Sequence, residues 1–267
     1  MVLPSRAKKS SHSPPSFSSP SKSVKSHSLL EKLDPFTYVD DYIIPKINPK
    51  NNEIINWIVY LVFSFIFAFA LYSFFGLVLQ TQSPLVIVVS GSMLPTLSRG
   101  DVVILQGVNG ASLNAPEVVL DGVDVRNTSL SKLATYSFDG KGGWNITFNQ
   151  TNETINVPKK GSSDIVVYNS SFKNLEIIHR AVIKIRSNGE YFVLTKGDNN
   201  PSLDQDCGSV DELLLPGSPN GQIVTSKSCP SPYPVSLSDV RGKALVWLPY
   251  LGYIKLLLVD SWQNASR

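Results

Sequence analysis

The chain has 267 residues, 42% of them hydrophobic, and a formal net charge of +3. That length supports one domain with a real core plus tails, and the near-balanced charge excludes the basic footprint of a nucleic-acid binder. The two cysteines, Cys207 and Cys229, belong to no Cys-x-x-Cys or His/Cys cluster, so neither a metal site nor a cofactor is expected.

Residues 1–53 are expected to form a basic tail with a short segment next to a membrane. Met1 to Leu30 is rich in Ser, Pro and Lys without apolar periodicity, the composition of a disordered segment. It is no secretory leader, because no apolar core follows its charges closely. Leu29 to Asn51 reads as a short amphipathic piece, with Pro35, Pro45 and Pro49 preventing one long helix. Ile54 to Leu79 carries no charge and exceeds the roughly 20 residues that cross a hydrocarbon core. Residues 54–80 are therefore expected as one membrane-spanning helix, with Trp57 and Tyr60 at an interface. A buried core helix is the competing reading.

Arg6, Lys8, Lys9, Lys22, Lys25, Lys32, Lys46 and Lys50 precede this segment, and the first basic residue beyond it is Arg99. The positive-inside tendency then puts the N-terminus in the cytoplasm and the remainder outside, in a single-pass protein of the cell membrane. Asn127, Asn145, Asn149, Asn152, Asn169 and Asn264 each open an Asn-x-Ser/Thr triplet, and their crowding suits a glycosylated outer region. Outside the cell a Cys207–Cys229 disulfide is permitted, and the bridge is preferred over two free thiols.

Beyond the span the pattern turns to β. Val86 to Val89 reads as a buried strand, Ser90-Gly91-Ser92-Met93 and Pro95-Thr96 as a turn, and Val102 to Leu105 as the next strand. Residues 106–163 are polar with short alternating pieces, including "WNITFNQTNETINV", and read as a β-hairpin excursion. Asp164 to Tyr168, Leu175 to Ile185 and Tyr191 to Thr195 read as further strands. Residues 205–238 are irregular, and Arg241 to Val259 is too short for a second crossing, which suits a partial or interfacial segment. No long helical period occurs in this half, so a mostly-β domain is expected over residues 81–260, with a short tail over 261–267.

Ser92 stands at a strand end beside a glycine. It is either the hydroxyl of an ordinary turn or a nucleophile, which then needs a base. Met93 reads as a soft apolar contact on a membrane or in a substrate groove. Of three histidines, His12 and His27 lie in the tail, so the base must be His179 or come from a partner chain. A satisfied core histidine is the competing reading. Strand neighbours alternate, so His179 and Arg180 face opposite ways, and Arg180 is given a structural role. An imidazole base needs an acceptor on its second nitrogen, and Asp198 and Asp204 both lie in the loop after the next strand. Asp198 also suits a turn-capping role. Lys184 shares the strand parity of Arg180, and Lys173 and Lys196 read as solvated charges at loop edges.

The motifs "SGSMLPTLSRGD", "DIVVY", "IIHR" and "TKGDNNPSLD", in that order after a membrane segment, resemble the type I signal peptidases, in the branch of Archaea and the endoplasmic reticulum where histidine stands in place of the bacterial lysine. The resemblance covers roughly Ile54 to Leu258, with residues 106–163 and 205–238 as insertions. It implies a signal-peptidase-like β domain anchored by one N-terminal transmembrane helix, acting as a serine endopeptidase on signal peptides of translocated preproteins. It implies catalysis by Ser92 and His179 with Asp204 as the orienting acid, Asp198 ordering the loop or the serine, and the backbone N–H of Ser92 with the Ser90 hydroxyl at the oxyanion. Gln205 followed by Asp206 departs from the family pattern next to the acid, so which carboxylate acts stays open. The implied partners are the signal peptides, the lipid bilayer and protein-translocation machinery. Narrower precursor processing and a non-enzymatic glycosylated surface protein on the same scaffold remain the alternatives.

Overall fold

A computed structural model describes residues 34–170, 172–207 and 229–257. The disordered tail expected before residue 34, most of the insertion over 205–238, Asn264 and the tail over 261–267 lie outside them. The chain divides into two compact units, Met1–Ala68 and Phe69–Arg267.

In the first unit a short helical run begins at Pro35–Tyr38, where the Asp34 carboxylate accepts the Phe36 N–H at 3.0 Å as an N-cap. It continues through a π turn, Val39–Ile43, into Ile44–Ile47. No single long α-helix forms here, and Pro45 stands where the π turn gives way to the last segment. It sits in the opening turn of the last segment, where a missing N–H costs no bond. Asn48, turned out of helical geometry and buried, ends the run and ties to Asn52 and Asn56 through its side chain.

The long helix is Glu53–Leu79, 27 residues, or about 40 Å at 1.5 Å per residue. Its most apolar stretch is long and apolar enough to cross a membrane and has none of its residues buried against the protein. A core helix would be covered, and among the described residues nothing buries this one. The helix closes with Gln80 in the left-handed region (φ 54°), the Thr81 N–H returning to the Gly76 carbonyl and the Gln80 N–H to that of Leu77. That pair of bonds satisfies carbonyls a helix end otherwise leaves open.

The second unit is mostly β. Its larger sheet has eight strands among the described residues. Seven follow the order β1 (Leu85–Ile87), β2 (Val102–Gln106), β11 (Val240–Leu248), β7 (Ile165–Ser170), β8 (Leu175–Ser187), β9 (Glu190–Lys196), β10 (Val235–Ser236). All these pairings are antiparallel, and β3 (Glu117–Val119) adds in parallel to β8. β7 is buried at all but one residue and β8 is buried from His179 to Ile185, so both faces of the sheet are covered there. β1 ends the path, and among the described residues no strand pairs with its outer edge.

Residues 106–163 do contain the expected hairpin, but as part of a second sheet of three antiparallel strands, β4 (Ala134–Phe138), β5 (Trp144–Phe148) and β6 (Thr154–Val157). It shares one core with the main sheet: Leu133, Ile146 and Phe148 pack with Ile183, Leu194 and Leu203. The sequon asparagines 127, 149, 152 and 169 are exposed, and Asn145 is half-buried on β5. Cys207 and Cys229 are bridged. The C-terminal stretch forms β11, a turn and helical residues from Tyr253 to Leu257, the last described, and its apolar side chains from Leu245 to Leu248 are exposed.

Candidate active site

Two loops meet above the large sheet. The first, Ser90 to Gly100, leaves β1 and is pinned by Met93 and Leu97, both fully buried with Val88, Val103 and Leu105. Met93 is thus a core anchor and not the surface or groove contact expected of it. The turn bonds from Thr96 and Leu97 to the Met93 carbonyl fold it under the loop. The second loop, Gly197 to Asp206, leaves β9. The Asn199 N–H donates to the Ser92 carbonyl at 2.8 Å, and its side chain reaches the Gly91 carbonyl at 3.2 Å. The approach is so close that a Cβ on Gly197 would stand 2.7 Å from the Ser92 carbonyl oxygen, so only glycine fits.

β8 carries His179 between the two loops. Its Nε2 lies 2.9 Å from the Ser92 hydroxyl oxygen and its Nδ1 lies 2.5 Å from Asp204 Oδ2. Of the two carboxylates left open by the sequence, Asp204 is therefore the one on the imidazole. Asp204 is 1% exposed. Its Oδ2 also accepts the Tyr168 hydroxyl at 3.0 Å and the Thr195 hydroxyl at 2.7 Å, while Oδ1 has no partner among the described residues. Burial first, and then the Asp204 charge, push the Tyr168 phenol far above its ordinary value, so it remains a donor.

Asp198 points away from His179. It takes two bonds from the Arg180 guanidinium, at 2.8 and 2.7 Å, and one from the Thr96 hydroxyl at 2.6 Å. Burial alone would raise the Asp198 carboxyl, but the Arg180 and Thr96 bonds outweigh it and hold it below the usual carboxylate range. His179 and Arg180 do face opposite ways, and each meets its own carboxylate.

No lysine described here bonds Ser92. Lys184 is buried and donates to the Gly110 carbonyl and to Glu117. Lys196 is not the solvated charge expected: it is 3% exposed, with its Nζ on the Gly197 carbonyl. It lies on the covered face of β9, and desolvation pulls its pKa down against the raising effect of Asp198 and Asp204. Tyr168, Thr195 and Thr96 were not singled out from the sequence. Only Tyr168 carried a hint, being two residues from Val166, which stands opposite His179 on the neighbouring strand.

The Ser92 hydroxyl opens onto a groove of about 930 Å³ whose walls include Val86, Ile87, Val89, Val167 and Ile178. Ser90 Oγ is exposed and stands 3.2 Å from Ser92 Oγ. With the proton on Nδ1 facing Asp204, Nε2 is free to accept the serine proton. The arrangement can therefore make Ser92 a nucleophile toward an extended, apolar chain beside β1.

No family model matches the chain. It is 26% identical over 193 residues to the signal peptidase complex catalytic subunit SEC11 of Colletotrichum graminicola, covering 72% of this chain and 74% of the relative. Against the SEC11 subunit of Pyricularia oryzae it is 25% identical over 200 residues, covering 74% and 78%. Against that of Neurospora crassa it is 27% identical over 193 residues, covering 72% and 74%.

Proposed function

We propose that the chain is a type I signal peptidase of the branch with histidine where the bacterial enzymes have lysine, a membrane-anchored serine endopeptidase that removes signal peptides from preproteins. The observation that carries this reading is the hydrogen-bonded series Ser92–His179–Asp204 at the mouth of an apolar groove.

In this reading the signal peptide adds as an extended strand along the outer edge of β1, with its backbone held by strand bonds and small side chains before the cut entering the groove. Ser92 Oγ attacks the scissile carbonyl carbon as its proton passes to His179 Nε2, and Asp204 steadies the resulting imidazolium through Nδ1. The Ser92 N–H and the Ser90 hydroxyl receive the oxyanion. The C–N bond breaks, His179 gives its proton to the departing amine, and the acyl group stays on Ser92. Water then attacks that ester with His179 again as base, freeing the carboxylate end of the signal peptide and restoring the serine. Asp198 bridges the two loops through Arg180 and Thr96.

The helix Glu53–Leu79 anchors the enzyme, with the basic residues before it in the cytoplasm and the β domain outside. The relatives are named as catalytic subunits of a signal peptidase complex, which supports partner subunits and a translocation setting in this reading. Cleavage of a panel of preproteins by full-length chain in membranes tests the reading. Ser92→Ala and His179→Ala are each expected to slow cleavage by about 10⁴-fold or more with membrane insertion intact. Processing by His179→Ala at the wild-type rate would overturn the assignment. Cleavage confined to one precursor class would favour the narrower peptidase.

A further inference from the structure

Asp204 sits in a loop, and loops are ordinarily the mobile parts of a fold. A triad acid nevertheless has to be held to within about 0.5 Å. The main sheet supplies part of the restraint: the Asp204 N–H donates to the Thr195 carbonyl at 2.9 Å, and Gln205 Oε1 accepts the Thr195 N–H at 2.9 Å. The rest comes from the second sheet. The Trp144 indole N–H donates to the Pro201 carbonyl at 3.0 Å, three residues before the acid. The Tyr136 hydroxyl donates to Asp206 Oδ1 at 2.8 Å, two residues after it. Between these, Leu203 is 3% exposed in the core that includes Leu133, Ile146 and Phe148. The Tyr136 and Trp144 rings meet edge to face with centroids 5.8 Å apart, so the two donors brace each other. Burial first, and then Asp206, push the Tyr136 phenol up to about 12, which keeps it a donor at neutral pH.

Resting on the reading of Asp204 as the acid, we infer that the sheet β4–β5–β6 belongs to the active site, with Tyr136 and Trp144 as positioning residues that clamp the loop Pro201–Asp206 and so keep Asp204 on His179. Strands lying between Ala134 and Val157 thereby bracket a carboxylate that follows them in sequence by dozens of residues. A surface decoration would have no reason to aim both of its polar aromatic groups at the two flanks of that carboxylate.

The test uses the full-length chain in detergent with Tyr136→Phe and Trp144→Phe, which keep aromatic packing and remove one donor each. Thr154→Val serves as the control, since it breaks the exposed Thr147–Thr154 hydroxyl pair on the same sheet without touching the loop. Three quantities are read: kcat and KM on a preprotein-derived peptide, the low-field proton resonance of His179 Nδ1–H, and the melting temperature. Each aromatic variant is expected to lower kcat about threefold to tenfold with KM within about twofold. Each also moves the Nδ1 proton upfield as its bond to Asp204 lengthens. Thr154→Val leaves kcat and the resonance at wild-type values. A melting-temperature loss in the aromatic variants with kcat and the resonance unchanged would reduce the sheet to a structural role, and an equal kcat loss in Thr154→Val would do the same. The resonance needs no turnover, so a wild-type chain that fails to cleave preproteins would sink the proposed function while the resonance still decides the clamp.

Discussion

At Asp204 three donors converge on one oxygen: the imidazole of His179 and the hydroxyls of Tyr168 and Thr195. A buried carboxylate without donors would be costly, and each hydroxyl offsets part of that cost while fixing the rotamer. Tyr168 is fully buried between β11 and β8, so Tyr168→Phe keeps the ring's packing and deletes only the donor. The expected result is a fall in kcat of about threefold to tenfold with little change in KM. Steady-state kinetics on a peptide substrate check it. A KM effect alone would mean that Tyr168 shapes the groove and does not hold the acid.

The two loops are joined as elements by the Asp198–Arg180–Thr96 cluster and by the Asn199–Ser92 backbone bond. The pairing has a pH signature. The folded-state pKa of Asp198 is depressed, so its stabilising contribution is fully present above the unfolded-state value of about 3.9 and is lost as pH falls through the lower folded value. Asp198→Asn is therefore expected to lower the melting temperature at neutral pH and to flatten its decline below about pH 4. Melting curves from pH 7 to pH 2 for both chains check this, and parallel acid declines would show that the cluster contributes nothing through its charge. Lys196 lies under the same loop with its charged form disfavoured by burial, a position that local sequence gave no reason to expect.

For the whole molecule, the Cys207–Cys229 bridge closes a loop with a sequence separation of 22 just beyond the acid. A loop of that size contributes about 3 kcal/mol through the unfolded state. The double variant Cys207→Ala/Cys229→Ala should lose about that much stability in urea melting. Melting that matches wild type would show that the loop is already restrained without the bridge.

Much of this architecture follows from sequence alone. An uncharged run of this length suits a helix, which satisfies its backbone groups within the segment, and the structure forms one from Glu53 to Leu79. Runs of Val and Ile bounded by turn residues became β2, β7, β8 and β9, whose apolar side chains are largely covered, whereas the buried strand expected over Val86 to Val89 is β1, Leu85–Ile87, with no residue buried and Val89 exposed beyond it. His179 stood out as the one histidine beyond the N-terminal tail, and Ser92 by its place at a strand end beside Gly91. What stayed out of reach depends on register and on contacts between segments distant in the chain. Asp198 and Asp204 share one loop, and which of them meets the imidazole is decided by how β8 and β9 align. The strand parity that gave Lys184 the face of Arg180 does not carry through β8, because the register shifts between Ala181 and Ile183. Met93 and Lys196 were read as surface residues, since composition around them is that of turns, and both are covered when the sheet assembles. Tyr136 and Trp144 meet the acid loop only because two sheets share a core. The chain's own periodicity determines which segments become helix and strand. Which polar groups then meet is decided only by tertiary packing, because a hydrogen bond forms over about 3 Å in space between residues that the sequence keeps far apart.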